Sequence, residues 1–428
     1  MKKIKLRSKE WFDNPKDPGL TAIYLERYLN YGLKRKDLQS GKPIIGIAQS
    51  GSDLSPCNRH ILDLSKNIKK GIVNAGGVPM EFPTHPIQET GKRPTAALDR
   101  NLSYLSLVEV LYGYPLDGVV LTTGCDKTTP AALMAAATVN IPSIILSGGP
   151  MLDGHYKGQK AGSGTIIWEA RKLYSKGEID YDQFMDMATA SSPSVGHCNT
   201  MGTASTMNSI AEALGMSLPG CAIIPAPYPE RKKISYKTGQ RIVNMVRENL
   251  TPSKIMTKKA FENAVVVASA IGGSSNATTH LLAIAKHMGI KFDLSNWQKL
   301  GHKIPLLVDC QPAGKYLMEG FYKAGGIPAV MKELIKNKKL NTKVKTVTGK
   351  NLGQNLKRKI KVNSKVIKTF KKNLSQNAGF LVLKGNFFNS AIMKTSVISD
   401  EFKKRYLSDR DRPNSFICKA VVFEGPED

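Results

Sequence analysis

The 428-residue sequence predicts an α/β fold: a doubly wound, mostly parallel sheet domain followed by an incomplete, β-rich C-terminal domain. Two observations carry this. Apolar, β-branched runs alternate with helical patterns across residues 43–330. After the Lys-rich stretch between Lys332 and Lys372 the pattern changes to strand-like runs with few helices between them. We therefore divide the chain into an N-terminal arm and helix (1–42), the α/β domain (43–373) and the start of a truncated β-rich domain (374–428).

In the arm, LRSKEWF precedes GLTAIYLERYLNYGL, which predicts a helix over about Thr21–Tyr31. PIIGIAQS (43–50) reads as a strand, and GSDLSPCNRH (51–60) as turn chemistry that places Cys57 at the start of a helix running to about Val73. A helix N-terminus favours a thiolate; the same cysteine equally fits a helix start with no role. VPMEFPTHPIQETGKRP (78–94) predicts a short strand and a Pro-rich loop carrying His85 and Glu89, and a lone loop Glu is ordinarily a solvated charge. A helix over Leu98–Leu111 follows.

DGVVLTT (117–123) is a buried strand that Gly124 breaks, so Cys125, Asp126 and Lys127 sit at its C-terminal end. Thr128, Thr129 and Pro130 open a helix. Open α/β sheets bind ligands at the carboxyl ends of their strands. A soft thiolate, a hard carboxylate and an amine are thus presented together where such folds do chemistry. A buried Cys beside a surface Asp–Lys pair fits the string as well.

PSIILSGGPMLDG (142–154) repeats the strand and Gly-rich loop; it lacks the lysine and spacing of a P-loop. SSPSVGHCNTMGTASTMNSIAEALGM (191–216) gives a loop with His197 and Cys198 and a helix from about Thr203. PGCAIIPAP (219–227), the AVVVASA run at 264–270 and IPLLVDCQPAG (304–314) read as further strands. The loop IGGSSNATTH offers partners for polar groups of a substrate. NAGFLVLKGNFFNSAIMKTSVIS (377–399) and FICKAVVFEG (416–425) read as strands of the last domain.

Composition narrows the function. Hydrophobic and charged contents of 41% and 22% are ordinary for a globular protein. No apolar run approaches a membrane span, and no h-region follows the basic N-terminus, so a cytoplasmic location is expected. The net charge of +28 suggests nucleic acid, but the lysines are dispersed and no recognisable nucleic-acid module is present. A solvated, Lys-rich surface accounts for the charge, and a positive field also attracts anionic substrates. The six cysteines (57, 125, 198, 221, 310 and 418) are widely spaced and form no CxxC pair, which disfavours a disulfide framework and a zinc ribbon. Cys57, Cys125 and Cys198 each lie on a loop leading to a helix. Three thiolates of this kind, gathered at one sheet edge, can hold an iron–sulfur cluster with one open iron.

CDKTTPAALMA (125–135) resembles the signature of the dihydroxy-acid and sugar-acid dehydratase family. The resemblance extends through IGIAQSGSDLSPCNRH, GGVPMEFPTHPIQETGKRPTAALDRN, LSGGPMLDG, GHCNTMGTASTMNS, AIGGSSNA, KGNFFNSAIMKTSVIS and AVVFEGPED. It implies a hydro-lyase that converts a 2,3-dihydroxy acid to a 2-keto acid. It also implies Cys57, Cys125 and Cys198 as cluster ligands, Glu89 and Asp126 as Mg²⁺ ligands, and a carbamylated Lys127 as a further Mg²⁺ ligand. The SPCN-type first cysteine points to [2Fe-2S] over [4Fe-4S]. Several segments resemble the sugar-acid branch (arabonate, xylonate and related aldonates) more than the branched-chain amino-acid enzyme. The resemblance further implies a homodimer or homotetramer, with a small sugar acid or dihydroxy acid as its partner and neither nucleic acid nor membrane.

Members of the family continue past the EGPED turn through the rest of a β-rich, barrel-like C-terminal domain. There they carry another Mg²⁺-binding Glu and, in a Gly-Asp-Gly-Arg-type motif, a Ser taken as the base; neither motif occurs in these 428 residues. The expectation is a truncated part of a longer enzyme, with no catalytic base in this chain and no turnover by residues 1–428 alone. An inactive cluster-binding fragment and a redox iron–sulfur protein are the competing readings.

Overall fold

The computed structural model describes residues 5–87, 96–386, 389–406, 419 and 421–423. Four strands, β1 (Ile44–Gln49), β2 (Val78–Pro83), β3 (Gly118–Thr123) and β4 (Ser143–Ser147), form one all-parallel sheet in the order β2-β1-β3-β4. Successive side chains of a strand point to opposite faces, and every residue of β1, β3 and β4 is buried. Both faces are therefore covered, which explains why these strands read as unbroken apolar runs.

The helices Ile61–Asn74 and Pro229–Arg247 pack on each other and on the sheet. They approach so closely at Gly71 and Gly239 that a Cβ on either would collide with the carbonyl of Tyr236 or Ile68. Thr128–Val139 is buried along nearly its whole length, between the sheet, the helix Ala96–Gly113 and the helix Asn276–His287.

The strand order matters most for function. From β1 the chain moves to β2 on one side, then crosses to β3 on the other. The carboxyl ends of β1 and β3 thus flank the topological switch point, where open α/β sheets leave a crevice for ligands.

Three segments differ from expectation. The AVVVASA run belongs to the helix Lys258–Ala270, whose positions from Asn263 to Ala270 are all buried. A fully buried apolar run carries no periodicity, so strand and helix look alike in sequence. PGCAIIPAP is a buried turn: Arg231 donates to the carbonyls of Cys221 and Ile224, which leaves no need for a neighbouring strand. IPLLVDCQPAG is extended but makes only isolated bridges, Leu306 to Ser375 and Val308 to Ile367 among them, outside the main sheet.

Two short antiparallel pairs complete the β structure among the described residues: Gly154–Tyr156 with Gln159–Ala161, and Phe380–Leu383 with Ala391–Lys394. The second lies in the segment expected to be β-rich, and its Phe380 ring meets Trp297 edge-on at 5.1 Å. Of the expected strand at 416–425, only 419 and 421–423 are described, and none of these is in a strand. The predicted helices at about 21–31, 57–73, 98–111 and from 203 correspond to Pro18–Leu29, Ile61–Asn74 (after a 3-10 turn, Pro56–Asn58), Ala96–Gly113 and Thr203–Ala213. No helix among the described residues is long and apolar enough to cross a membrane.

Candidate functional site

The three cysteine loops meet at the carboxyl ends of β1, β3 and β4, held largely by side chains that the sequence did not single out, Asn58, His60 and Asn208 among them. After β1, the backbone N–H of Ser50 donates to Thr122 Oγ1 of β3 (2.9 Å), and Cys57 sits in the 3-10 turn Pro56–Asn58. The neighbouring Asn58 is fully buried, and its Oδ1 accepts the backbone N–H of Cys125 (3.1 Å). That one contact locks the Cys57 loop onto the Cys125 loop. Gly124 makes it possible, because a Cβ there would strike Asn58 Oδ1. Thr128 closes the Cys125 turn by accepting from Gly124 N–H and donating to the Cys125 carbonyl, both at 3.1 Å.

The third loop joins through two bridges. Asn208, on the helix that follows Cys198, donates from Nδ2 to the Gly124 carbonyl (3.0 Å) and accepts at Oδ1 from Thr123 and Thr129 (both 3.1 Å). The Gly148–Gly149 turn after β4 forms the second. Its Gly148 N–H donates to the Thr123 carbonyl (2.6 Å), and the Gly148 carbonyl accepts from His60 Nε2 (2.8 Å). The Gly149 carbonyl accepts from His197 N–H (3.0 Å), one residue before Cys198. His197 Nδ1 in turn donates to the Cys198 carbonyl (3.0 Å).

These bonds fix the histidine tautomers. Since a carbonyl only accepts, the proton sits on Nε2 of His60 and on Nδ1 of His197. Both rings stay neutral: burial lowers the His60 pKa and holds that of His197 down at about 3.

Cys125 is buried, and its thiol pKa is raised by burial first and by the adjacent Asp126 carboxylate second. Asp126 is fully buried and pairs with the buried Lys127 ammonium. A buried pair of this kind is poor at adding stability, which makes a functional use the better reason for it. Burial first, then Arg100 and lastly Lys127 hold the His280 imidazole pKa down at about 3. Glu89 lies outside the described residues. Among the described residues, no group of three or more His, Cys, Asp or Glu side chains is arranged to hold a metal ion.

The donor chemistry fits the groups implied by the sequence. Three soft thiols sit on loops bonded to one another, with a hard carboxylate and an amine immediately beside the central one. Asn58 Nδ2 is a buried donor with no acceptor among the described residues, placed between the loops of Cys57 and Cys125. Sulfur atoms of a bound cluster would accept from it.

Residues 42–355 match the family described as dihydroxy-acid/6-phosphogluconate dehydratase N-terminal. The chain belongs to this family and, as a dehydratase, is a hydro-lyase. Its relatives include the D-xylonate dehydratase of Caulobacter vibrioides, 57% identical over 424 residues that span 99% of this chain and 71% of that protein. The L-arabinonate dehydratase of Rhizobium leguminosarum is 43% identical over 427 residues, with 99% and 71% covered. A dihydroxy-acid dehydratase of Caldanaerobacter subterraneus is 38% identical over 381 residues, covering 88% and 68%.

Proposed function

We propose that the protein is a sugar-acid dehydratase that removes water from an aldonate of the xylonate or arabonate type and yields a 2-keto-3-deoxy acid. The observation that carries this reading is the bonding of the Cys57, Cys125 and Cys198 loops into one unit at the β1/β3 switch point. The greater identity to proteins named for sugar acids than to those named dihydroxy-acid dehydratase supports the substrate class.

Cys57, Cys125 and Cys198 would hold an iron–sulfur cluster, [2Fe-2S] on the reading of the first cysteine loop. Asp126, Glu89 and a carbamylated Lys127 would hold Mg²⁺. When bound, these groups supply Lewis acidity toward the departing C3 hydroxyl and toward the charge that develops on the carboxylate and C2 oxygen. The protein's own part is placement. Asn58 and Asn208 fix the central thiol's loop from two sides. Thr128 holds the turn that presents Cys125 and Asp126. Carbamylation turns Lys127 from the cation that neutralises Asp126 into a second anion, so that the pair faces a metal ion instead of each other. The buried setting keeps water away from these contacts and strengthens them.

The test is anaerobic reconstitution of the protein in the length its gene encodes, followed by keto-acid assay on D-xylonate, L-arabonate and 2,3-dihydroxy-isovalerate. Turnover of an aldonate that is lost on chelation is expected. Turnover of the branched-chain acid alone would overturn the substrate assignment. Full activity in metal-free protein would overturn the cofactor assignment.

A further inference from the structure

Arg100 and His280 form a buried pair beside the metal-ligand candidates that the function described so far does not use. Each is 6% exposed. Arg100 lies near the start of the helix Ala96–Gly113, and His280 on the helix Asn276–His287. Arg100 Nη1 donates to His280 Nδ1 (3.0 Å), while Nε and Nη2 both donate to Asn101 Oδ1 (3.1 and 2.9 Å).

A guanidinium only donates, so Nδ1 of His280 is an acceptor and the ring's proton is on Nε2. Three of the five guanidinium N–H bonds are thereby used. Among the described residues, one N–H on Nη1 and one on Nη2 meet no acceptor, and these are the two donors that a carboxylate engages bidentately. Among the described residues Arg100 forms no ion pair with any carboxylate. A guanidinium this buried is costly without an anion.

The pair is also fixed relative to the site. Ser274 Oγ bonds Thr203 Oγ1 (2.8 Å), Asn276 Nδ2 donates to Thr203 Oγ1 (3.1 Å) and Ser274 N–H donates to Thr206 Oγ1 (3.0 Å). These tie the helix that bears His280 to the helix that follows Cys198. Both helices of the pair, Ala96–Gly113 and Asn276–His287, also pack on Thr128–Val139, the helix that starts directly after Lys127.

We propose that Arg100 binds the carboxylate of the sugar acid, and that His280 aims the guanidinium and offers Nε2–H to a neighbouring substrate hydroxyl. This rests on the sugar-acid dehydratase reading. It adds an anion-recognition group made of protein alone, which sets the substrate class independently of the metal ions.

The test is calorimetric binding of a 3-deoxy aldonate, which lacks the hydroxyl to be lost and cannot be dehydrated, to the holoprotein and its variants. In R100M we expect affinity to fall by at least about 30-fold. R100K, which keeps the charge and loses the fork, should fall between R100M and wild type. H280L should weaken binding less than R100M, with H280Q recovering part of the loss. Turnover of R100M should show the change in KM more than in kcat, with visible cluster absorbance and melting temperature unchanged. Wild-type affinity in R100M would overturn the proposal and leave the dehydratase reading standing. Loss of cluster absorbance in both R100M and R100K would also overturn it, by assigning Arg100 to the metal site. Failure of the wild-type protein to bind any aldonate or dihydroxy acid would sink the reading and the proposal together.

Discussion

The two ends of the central sheet carry similar residues and treat them in opposite ways. At the amino ends of β1 and β3, the buried carboxylate of Asp117 accepts from Ser8 N–H (3.1 Å), Ser8 Oγ (2.7 Å) and Ile44 N–H (2.7 Å). Arg7 adds a bond to the Leu116 carbonyl (3.1 Å), and the arm is thereby tied to the sheet. No buried polar side-chain atom of Arg7, Ser8 or Asp117 lacks a partner. At the carboxyl ends, Asn58 Nδ2, His60 Nδ1 and His197 Nε2 are all buried without a hydrogen-bond partner among the described residues. Native proteins seldom leave such groups unmatched, and here three lie together among the described residues. One end of the sheet is saturated and structural; the other holds polar capacity in reserve.

The strongest way to break this contrast is to remove one thiol from the reserved end. Substituting Ser for Cys57, Cys125 or Cys198 should abolish the visible absorbance of the reconstituted cluster while far-UV circular dichroism stays unchanged. A full cluster in any one variant would remove that residue from the ligand set.

Acid should act on the same end next. His197 has a folded pKa of about 3 against 6.5 unfolded. Between those values the unfolded chain binds a proton that the folded chain refuses. Its contribution is therefore complete above pH 6.5 and is lost as pH falls toward 3, up to about 5 kcal/mol. Urea midpoints taken at pH 7, 5.5 and 4.5 should fall steadily, and a flat series would contradict the buried neutral imidazole.

The saturated end should respond in stability alone. Asp117→Ala leaves the Ser8 and Ile44 donors unpaired and should cost about 2–3 kcal/mol. Denaturant melts would show it, and cluster content at low temperature should not change. A variant that loses cluster without losing stability would mean that the two ends are not separable in this way.

The smallest effect is expected at Asn58. Asn58→Ala should leave the protein folded yet shed its cluster about 10-fold faster on dilution into chelator. Unchanged cluster lifetime would show that Asn58 serves the loop alone.

Much of this was legible in the residues themselves. The strands at 44–49 and 118–123 announced themselves because burial on both faces selects mainly apolar and β-branched side chains, and Gly124 marked where the second one stops. The Cys-Asp-Lys string was legible because three chemically unlike residues stood in a row at that stop. The run at 264–270 was not legible: helix and strand differ by which positions stay exposed and polar, and there every position is buried.

The sequence by itself determined the fold class, the positions of the strand ends and the three cysteines worth joining, because these follow from local patterns of polarity and turn chemistry. Only the tertiary structure decided that β3 returns to the far side of β1, bringing Cys57 and Cys125 to one crevice. It alone joined Asn58, Asn208 and His60 to the loops around Cys57, Cys125 and Cys198, and Arg100 to His280. Their partners lie 67, 84, 88 and 180 residues away along the chain. A lone Asn or His carries no sign in sequence of what it will bond to once burial removes water as an alternative.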